Sequence, residues 1–343
     1  MEISETFNYR WNTKDYPEKN GRKVYSCFSC GGGSTMGYKL AGYEVIGAND
    51  IDPKMRDVYL LNNNPKYYHL CPVGDLTKSD DFPVELYDID ILDGSPPCST
   101  FSVSGLREKA WGEKKKFREG QAEQVLDELF FDWVKLVNKI QPKVAIAENV
   151  KGMLMGGARQ YVKRIFLELE KAGYDTQVFL VNGAEWGLPQ RRQRVFFIAR
   201  RKDMNFPKLD LTKIPKQRPC VFSKIDDGIV EGAKEMSDNL RSYWNETLPG
   251  ENFSKAHVNG SFFNYSKTHP NRVPPTLTAT GGIHHHEQPR TLTVNEMKLI
   301  SSFPLDYDFG KSDPCYIMGM SVPPIMVANI ANLIYKVWFS NGK

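Results

Sequence analysis

The sequence predicts a doubly wound α/β fold, in which a mostly parallel sheet carries helices on both faces. Short apolar runs alternate with segments of helical periodicity between Lys23 and Arg200, as in chains that build βαβ units. A glycine-rich loop at 28–33 follows the first apolar run. Polar residues stand where later runs end, which is where sheets of this class bind their ligands.

The apolar runs are short and bounded by polar or turn-forming residues, as is typical of buried strands. Helical periodicity separates them, and strands that alternate with helices in this way form parallel sheets with right-handed crossovers. We predict strands at 24–28, 44–48, 88–92, 143–147, 178–181 and 195–199. We predict helices at 34–40, 53–61, 121–140 and 161–171.

The composition changes after Arg200. Residues 202–268 are rich in Asn, Ser, Lys, Pro and Gly and show no helical periodicity, which predicts a small irregular domain. Helical patterns return at 296–301 and in an apolar closing segment at 323–337. We therefore predict a large domain at 1–201, a small domain at 202–268 and a C-terminal part at 269–343 that returns to the large domain.

The bulk composition restricts the setting of the protein. Six cysteines in 343 residues do not make a disulfide framework, and the polar N-terminus lacks the apolar segment of a signal peptide. We expect no apolar run long enough to span a bilayer. These observations predict a cytoplasmic protein with free thiols and no membrane partner. The net charge of +4 is too small to indicate nucleic acid by itself.

A thiol follows the predicted strand at 88–92. The prolines of the run Pro96-Pro97-Cys98 stop this strand, because proline cannot donate to a sheet ladder. Cys98 is therefore expected at the carboxyl end of a strand, where it is a candidate nucleophile. Taken alone, a small buried apolar side chain is an equally good interpretation, since most free cysteines are buried.

The stretch after Cys98 is basic. Six basic residues and two acids fall between Arg107 and Arg118, an excess equal to the +4 of the whole chain. A charge run is usually a solvated surface. Next to a candidate nucleophile, and with Trp111 and Phe117 inside it, a basic loop favours a phosphate-bearing substrate.

The glycine-rich loop and the end of the second strand predict a nucleotide-like cofactor. Glycines in the run Phe28-Ser29-Cys30-Gly31-Gly32-Gly33 let backbone N–H groups approach a ligand at a helix N-terminus. Asp50 follows the second strand, where a carboxylate can bind ribose hydroxyls. The alternative interpretation is a tight turn and a helix-capping acid.

Two further motifs lie at predicted strand ends. Glu148 follows the strand at 143–147, where an acid can have a raised pKa and donate a proton. The run Gln190-Arg191-Arg192-Gln193-Arg194 enters the last strand, and alternate residues of a strand share a face. Arg192 and Arg194 are therefore expected to stand together over the crevice. A capping carboxylate and a basic surface cluster are the alternatives.

Taken in order along the chain, these motifs resemble those of the cytosine-carbon-5 DNA methyltransferases. The resemblance runs from about Lys23 to the C-terminus, except for 202–268. It implies a Rossmann-like methyltransferase sheet with a target-recognition domain at 202–268. The motifs that carry it are loop 28–33, Asp50, Gly74-Asp75-Leu76, Pro96-Pro97-Cys98, Glu148-Asn149-Val150, Gln190 to Arg194, Arg290-Thr291-Leu292-Thr293 and Gly319-Met320-Ser321-Val322-Pro323-Pro324.

The resemblance implies methyl transfer from S-adenosylmethionine to carbon-5 of a cytosine that is flipped out of double-stranded DNA. Cys98 matches the nucleophile that adds to carbon-6, and Glu148 matches the acid that protonates the ring nitrogen. Arg194, supported by Arg192, matches the arginine that binds the carbonyl oxygen. The cofactor site is matched by Phe28, Ser29, Gly31, Gly32, Gly33, Asp50, Ile51, Asp75, Leu76, Pro97, Leu129, Met320 and Ser321. A DNA-clamping loop is matched by Ser102, Arg107, Lys109, Lys114, Lys115, Lys116 and Arg118.

A few positions depart from the family pattern, namely Cys30, Ile51, Ser99 and Met320, and none removes a group needed for the covalent chemistry. The run His284-His285-His286 is expected in a surface or DNA-facing loop. Adjacent residues rarely all reach one ion, so we predict no metal site.

Three other functions were weighed against this one. The same chemistry on tRNA is less favoured, because the insert at 202–268 is sizeable and the arginine run is intact. A non-catalytic DNA-binding regulator on the same fold would not need Cys98, Glu148 and Arg194. A nicotinamide dehydrogenase does not explain the Pro-Pro-Cys run. We also predict a monomer encoded by a bacterium, an archaeon or a phage. It would act alone or beside a separately acting cognate restriction endonuclease.

Overall fold

The structure, a computed structural model, describes residues 6–79, 82–97, 128–156, 158–256, 265–280 and 282–340, together with Phe262 and the backbone of 114–115 and 124–125. Its strands are β1 (Lys23–Cys27), β2 (Glu44–Asp50), β3 (Tyr67–Leu70), β4 (Ile91–Gly94), β5 (Lys114–Lys115), β6 (Gln124–Val125), β7 (Val144–Val150), β8 (Tyr174–Asn182), β9 (Gln193–Arg201), β10 (Ser266–Lys267) and β11 (Ile283–His284).

Seven of these strands form the central sheet, in the order β3-β2-β1-β4-β7-β9-β8. The pairings from β3 to β7 are parallel, whereas β9 runs antiparallel to both β7 and β8. This is the doubly wound, mostly parallel sheet that the sequence predicts. The sequence does not predict β3, because Tyr67–Leu70 lacks the apolar alternation that is typical of a strand.

Helices cover both faces of the sheet. The α-helices are α1 (Gly33–Leu40), α2 (Pro53–Asn63), α3 (Val73–Lys78), α4 (Leu129–Ile140), α5 (Ala158–Lys171), α6 (Asp238–Glu246), α7 (Val294–Ile300), α8 (Pro314–Met320) and α9 (Pro324–Ile334), and a π-helical turn, Tyr335–Phe339, follows α9. On one face, α1 and α9 pack over Val24, Ile91 and Ile146. On the other face, α3, α4 and α5 pack over Leu92 and Ala145. Two apolar layers thus bury the sheet from both sides.

The helix predicted at 121–140 is wrong in its first part. The helix α4 begins at Leu129, and Gln124 and Val125 instead pair with β5 in a short antiparallel ribbon. Glu128 precedes α4 without a side-chain capping bond, so the sequence carries no signal for this start. From Leu129 onward the predicted apolar face is confirmed, with Phe130, Trp133 and Val137 buried.

The region after Arg200 is irregular, as predicted, but it does contain a helix. α6 lies within 202–268, and the structure buries none of its residues, which explains why no apolar stripe revealed it. β10 pairs with β11 across the predicted boundary at Thr268, and Trp244 Nε1 donates to the carbonyl of His285. The division at 268 stays a prediction.

We expected no apolar segment long enough to span a bilayer. By length and composition alone, one segment does meet that criterion, so the expectation is wrong in this respect. The helical stretch Pro314–Phe339 has 26 residues and a mean hydropathy of 1.6 in its most apolar window. However, 83% of that window is buried inside the protein. Its apolar character is therefore explained by its place in the core beside α1.

Candidate active site

Glu148 and Arg194 meet at the carboxyl edge of the sheet. Glu148 lies near the end of β7, and Arg194 lies near the start of the antiparallel β9, where it pairs with Val150. Ile146 and Phe196 pack on the α1/α9 face, and alternation along each strand brings Glu148 and Arg194 to that same face. Glu148 Oε1 is 2.8 Å from Arg194 Nε. The structure thus brings together two of the residues that sequence predicts to bind cytosine.

The electrostatics of this pair suit a proton donor. Burial raises the pKa of Glu148, and the guanidinium groups of Arg194 and Arg192 oppose that shift. Burial also lowers the pKa of Arg194. Glu148 Oε1 and Arg194 form a buried ion pair, so the Arg194 guanidinium favours the charged form of the carboxyl group and burial favours the neutral form.

Arg192 has a different environment. Its side chain is buried, and its Nη atoms donate to the carbonyls of Leu277 at 2.8 Å, Gly319 at 3.0 Å and Ser321 at 2.9 Å. These hydrogen bonds connect the residue before β9 to the backbone of Leu277 and to the backbone at the end of α8. The sequence predicts that Arg192 and Arg194 stand together over the crevice; Arg194 pairs with Glu148, whereas the Nη groups of Arg192 bond backbone carbonyls.

Asn149 holds the loop that leads to the predicted nucleophile. Its Nδ2 donates to the carbonyl of Pro96 at 3.1 Å, and its side chain is buried. The backbone N–H of Ser95 donates to the carbonyl of Cys27 at 3.4 Å, which ties the same loop to β1. Cys98 itself lies outside the described residues. Asn149 was not predicted as a site residue, although its position next to Glu148 was the available signal.

The predicted cofactor loop connects β1 to α1 through an unusual backbone. Phe28, Cys30 and Gly32 have φ values of 55°, 47° and 85°, so three residues adopt the left-handed region. Asp50 at the end of β2 holds this loop, because its Oδ2 accepts the Cys30 N–H at 2.8 Å. Burial raises the pKa of Asp50 to about 6. A carboxylate at this place, with one N–H on each oxygen, keeps further lone pairs for a ligand.

The glycines of this loop are required by the protein itself. A Cβ on Gly33 would lie 2.1 Å from the carbonyl oxygen of Val322, and a Cβ on Gly32 would lie 2.3 Å from Asn63 Nδ2. Gly33 thus admits the segment after α8 and Gly32 admits the end of α2, and their part in cofactor binding stays a prediction. Ser321 is buried in that segment and donates to the Ile317 carbonyl at 2.7 Å, while Met320 beside it is 51% exposed.

The remaining predicted cofactor residues surround the same strand ends. Asp75 is exposed on α3, and its carboxylate is 3.9 Å from Lys78 Nζ. Leu76 and Leu129 are buried, at the α3 helix and the start of α4. Ile51 and Pro97 are partly buried, just after β2 and β4. Ser29 is buried, and none of the described residues hydrogen-bonds its Oγ.

The predicted DNA-contact residues fall almost wholly outside the described residues. This holds for Ser102, Arg107, Lys109, Lys116 and Arg118. Lys114 and Lys115 are described only as the backbone of β5, which pairs with β6. Their part in DNA binding stays a prediction.

The histidine run is buried rather than on the surface, so that expectation is wrong. His284, His285 and His286 are at most 8% exposed, because they pack against aromatic rings such as that of Phe222. Ligand atoms of Asp226, His285 and His286 lie within 4.8 Å of one another. His285 Nδ1 accepts two backbone N–H groups, which leaves the proton on Nε2, 3.0 Å from Asp226 Oδ2. This histidine–carboxylate pair is satisfied within the protein.

Fold and site together define a Rossmann-like methyltransferase with an acid–arginine pair at the carboxyl edge of its sheet. The chain matches the profile of the family described as C-5 cytosine-specific DNA methylase over residues 22–336. It belongs to this family, and it is a DNA (cytosine-5-)-methyltransferase.

Curated relatives agree with this assignment, and a solved structure shares the fold. Type II methyltransferase M.NgoFVII of Neisseria gonorrhoeae is 28% identical over 94% of this chain and 88% of its own length. Type II methyltransferase M1.HphI of Haemophilus parahaemolyticus is 27% identical over 90% and 86%. A crystal structure described as a prophage-encoded DNA modification methyltransferase from E. coli shares the fold with a TM-score of 0.73. It has 20% identity over 92% of this chain and 99% of that one.

Proposed function

We propose that this enzyme transfers a methyl group from S-adenosylmethionine to carbon-5 of a flipped cytosine, through a covalent bond between Cys98 and carbon-6. The observation that carries the proposal is the buried Glu148–Arg194 pair beside the anchored Pro96 loop. Carbon-5 of cytosine is a poor nucleophile within an aromatic ring. Addition of a thiolate at carbon-6 makes it enamine-like, so the enzyme needs a thiol, an acid and a carbonyl partner around one base.

The residues divide these tasks in our proposal. Glu148 donates its proton to ring nitrogen 3 as the Cys98 sulfur bonds carbon-6, which neutralises the charge that the addition places on the ring. Arg194 donates to the carbonyl oxygen at carbon-2. After methylation, a base removes the carbon-5 proton and the Cys98 thiolate leaves. Arg192 is a positioning residue, since its donors hold the backbone around Ser321.

The cofactor pocket fits S-adenosylmethionine in the chemistry of its polar groups. Asp50 ends β2 with free lone pairs for two ribose hydroxyls, and Ser29 Oγ is buried without a partner among the described residues. Bound there, S-adenosylmethionine supplies an electrophilic methyl group. The strand ends of β1 and β4 keep this site and the Pro96 loop side by side.

We further propose the cellular setting from the relatives. They are bacterial Type II methyltransferases, which supports double-stranded DNA over tRNA as the substrate. We also propose a cytoplasmic monomer that modifies a short recognition sequence, alone or with a separately acting endonuclease. Residues 202–268 would supply target recognition.

The experiment combines labelled S-adenosylmethionine with duplex DNA and, separately, with tRNA. We expect label in DNA only, at carbon-5 of cytosine, and loss of transfer in Cys98→Ser. A duplex with 5-fluorocytosine at the target site should hold the wild-type enzyme covalently, because fluorine cannot leave as a proton. Label in tRNA alone would support the tRNA alternative. DNA binding without transfer to either substrate would support a regulator.

A further inference from the structure

The C-terminal part of the chain contacts the predicted cofactor loop through a residue that lies in none of the motifs of the family resemblance. Tyr307 lies in the turn between α7 and α8, and it is 3% exposed. Its hydroxyl donates to the carbonyl of Gly31 at 2.7 Å. This hydrogen bond joins the turn to loop 28–33, which the proposed function assigns to S-adenosylmethionine.

The Tyr307 side chain is held in place from several directions. Its ring packs edge-to-face on Phe303, with centroids 4.9 Å apart, and its centroid is 4.7 Å from that of Phe309. Lys298 Nζ of α7 donates to the Leu305 and Tyr307 carbonyls at 2.8 Å each. Burial raises the pKa of the Tyr307 hydroxyl, so this group keeps its proton near neutral pH. The loop therefore meets a donor whose position is already fixed.

The peptide group that accepts this bond lies where the loop has no side chain to restrict it. Gly31 and Gly32 are consecutive glycines, and glycine adopts φ values of either sign without steric cost. A peptide group is planar, so the bond to the Gly31 carbonyl also fixes the direction of the Gly32 N–H. That N–H donates to the Ser29 carbonyl at 2.8 Å. Tyr307 thus fixes one peptide plane in the middle of the loop.

The C-terminal part also encloses Gly31 sterically. A Cβ on Gly31 would lie 2.4 Å from Ile317 Cγ2 and 3.0 Å from the Tyr307 hydroxyl oxygen. The same Cβ would lie 3.4 Å from Ser321 Oγ, which is 3.8 Å from Cys30 Sγ. The turn after α7 and the end of α8 therefore both contact the loop, and Tyr307 supplies the hydrogen bond to its backbone.

We infer that Tyr307 is a positioning residue for the cofactor, whose hydroxyl holds loop 28–33 in the conformation that binds S-adenosylmethionine. The inference rests on the proposed function, since it takes this loop as the cofactor site. Without the hydroxyl, the Gly31–Gly32 peptide group can rotate, and binding must then order it, so the affinity falls. Tyr307 acts through the Gly31 carbonyl rather than on the transferred methyl group. The rate of transfer from the bound complex should therefore stay near wild type.

The test is Tyr307→Phe, which removes the hydroxyl and keeps the ring. Isothermal titration calorimetry with S-adenosylhomocysteine, the product form of the cofactor, should give a Kd about tenfold above that of wild type, as for loss of one buried hydrogen bond. In methylation of duplex DNA, the KM for S-adenosylmethionine should rise by about the same factor, with kcat within about twofold of wild type.

Tyr43→Phe is the matched control, because Tyr43 is buried and its hydroxyl donates to the Ala331 carbonyl of α9 at 2.9 Å. Tyr43 precedes β2 at the amino ends of the parallel strands, whereas loop 28–33 follows β1 at the carboxyl ends. Each variant loses one buried bond from a hydroxyl to a carbonyl, so urea unfolding without ligand should show similar losses of stability. The Kd for S-adenosylhomocysteine should rise in Tyr307→Phe alone.

An unchanged Kd in Tyr307→Phe, or an equal rise in both variants, would overturn the inference. The proposed function would still stand if the wild type methylates cytosine in DNA. If the Kd rises in Tyr307→Phe alone but the wild type transfers no methyl group to DNA, the role of Tyr307 stands and the proposed function fails. A wild type that binds no S-adenosylhomocysteine would overturn both.

Discussion

The two ends of β4 carry buried aspartates in opposite surroundings. Asp90, at the amino end, is 4% exposed and accepts bonds from Lys143 Nζ at 2.7 Å and from the Lys23 N–H at 2.8 Å. Arg22 Nη1 adds a third contact at 3.4 Å. Asp93 lies three residues further along, at the carboxyl end of β4. The described side chains that donate hydrogen bonds to it are hydroxyl groups.

The difference separates a carboxylate that ion pairs neutralise from a carboxyl group that the described side chains bond through hydroxyl groups. Cations neutralise the Asp90 carboxylate within the folded chain, so its charge is used to join β1, β4 and β7. At the carboxyl end of β4, the described side chains that bond Asp93 are hydroxyl groups, and Glu148 on the neighbouring strand pairs with Arg194. A site that must take up a polar base keeps bonding capacity that a structural cluster has already used.

Glu148→Gln is expected to have the largest effect on the methylation rate. It tests whether the reaction takes place at the carboxyl ends of the parallel strands. Glutamine keeps the shape but has no proton to give, so the methylation rate should fall by about 10²- to 10⁴-fold with the fold retained. The rate is measured with labelled S-adenosylmethionine, and circular dichroism checks the fold. A rate within tenfold of wild type would remove Glu148 from the role of acid.

Asp90→Asn tests the carboxylate at the amino end of β4. We expect this substitution to lower the stability of the fold. The substitution leaves Lys143 and Arg22 without their buried partner, so we expect the free energy of unfolding to fall by about 2 to 3 kcal/mol. Urea unfolding measures it. The methylation rate of the folded variant should stay near wild type. A large loss of rate with unchanged stability would show that the two edges are not separate in function.

Asp93→Asn sharpens the comparison through pH-dependent stability. Because folding raises the pKa of Asp93 to about 7, the folded protein binds more protons than the unfolded chain between about pH 4 and pH 7. The contribution of Asp93 to stability is therefore lost as pH rises through that window. Asparagine removes the loss, so the drop in unfolding free energy from pH 5 to pH 8 should shrink by about 2 kcal/mol. Parallel stability curves for variant and wild type would contradict this.

Asn149→Ala has the smallest expected effect on stability and tests the anchor of the Pro96 loop. Loss of its two side-chain hydrogen bonds, to the Pro96 carbonyl and from the Val150 N–H, should cost about 1 to 2 kcal/mol. Asn329→Ala is the matched control, since Asn329 Nδ2 donates to the Ile325 carbonyl at 2.7 Å inside α9, away from the site. At similar loss of stability, Asn149→Ala should slow methylation about tenfold and Asn329→Ala should not. Equal rates would show that the anchor does not position Cys98.

The fold was predictable because its signals are local. Apolar runs and helical periodicity mark six strands of the central sheet and most of the helices around it, whereas β3, α3, α6 and α8 were found only in the structure. The start of α4 has no capping side chain, and α6 buries no residue, so neither carries a pattern that sequence can show.

The positions of site residues were predictable where strand ends and alternation decide them, as for Glu148 and Arg194. Their roles in the reaction come from the family resemblance and stay a prediction. The surroundings of Arg192 could not be predicted, because its Nη groups donate to the backbone carbonyls of Leu277, Gly319 and Ser321. Every residue has a backbone carbonyl, so the sequence does not indicate which ones act as acceptors. The burial of the histidine run likewise depends on Phe222, which lies over sixty residues earlier.

The reversed direction of β9 has a consequence for how this chain can vary. Because β9 runs antiparallel to β7, its first residues, including Arg194, lie at the edge of the sheet that holds the candidate site. Arg200, near the end of β9, pairs with Val144 at the opposite edge. The region that follows therefore departs from the side of the sheet remote from the chemistry. A change in the length of that region therefore need not displace the acid–arginine pair at the opposite end of β9.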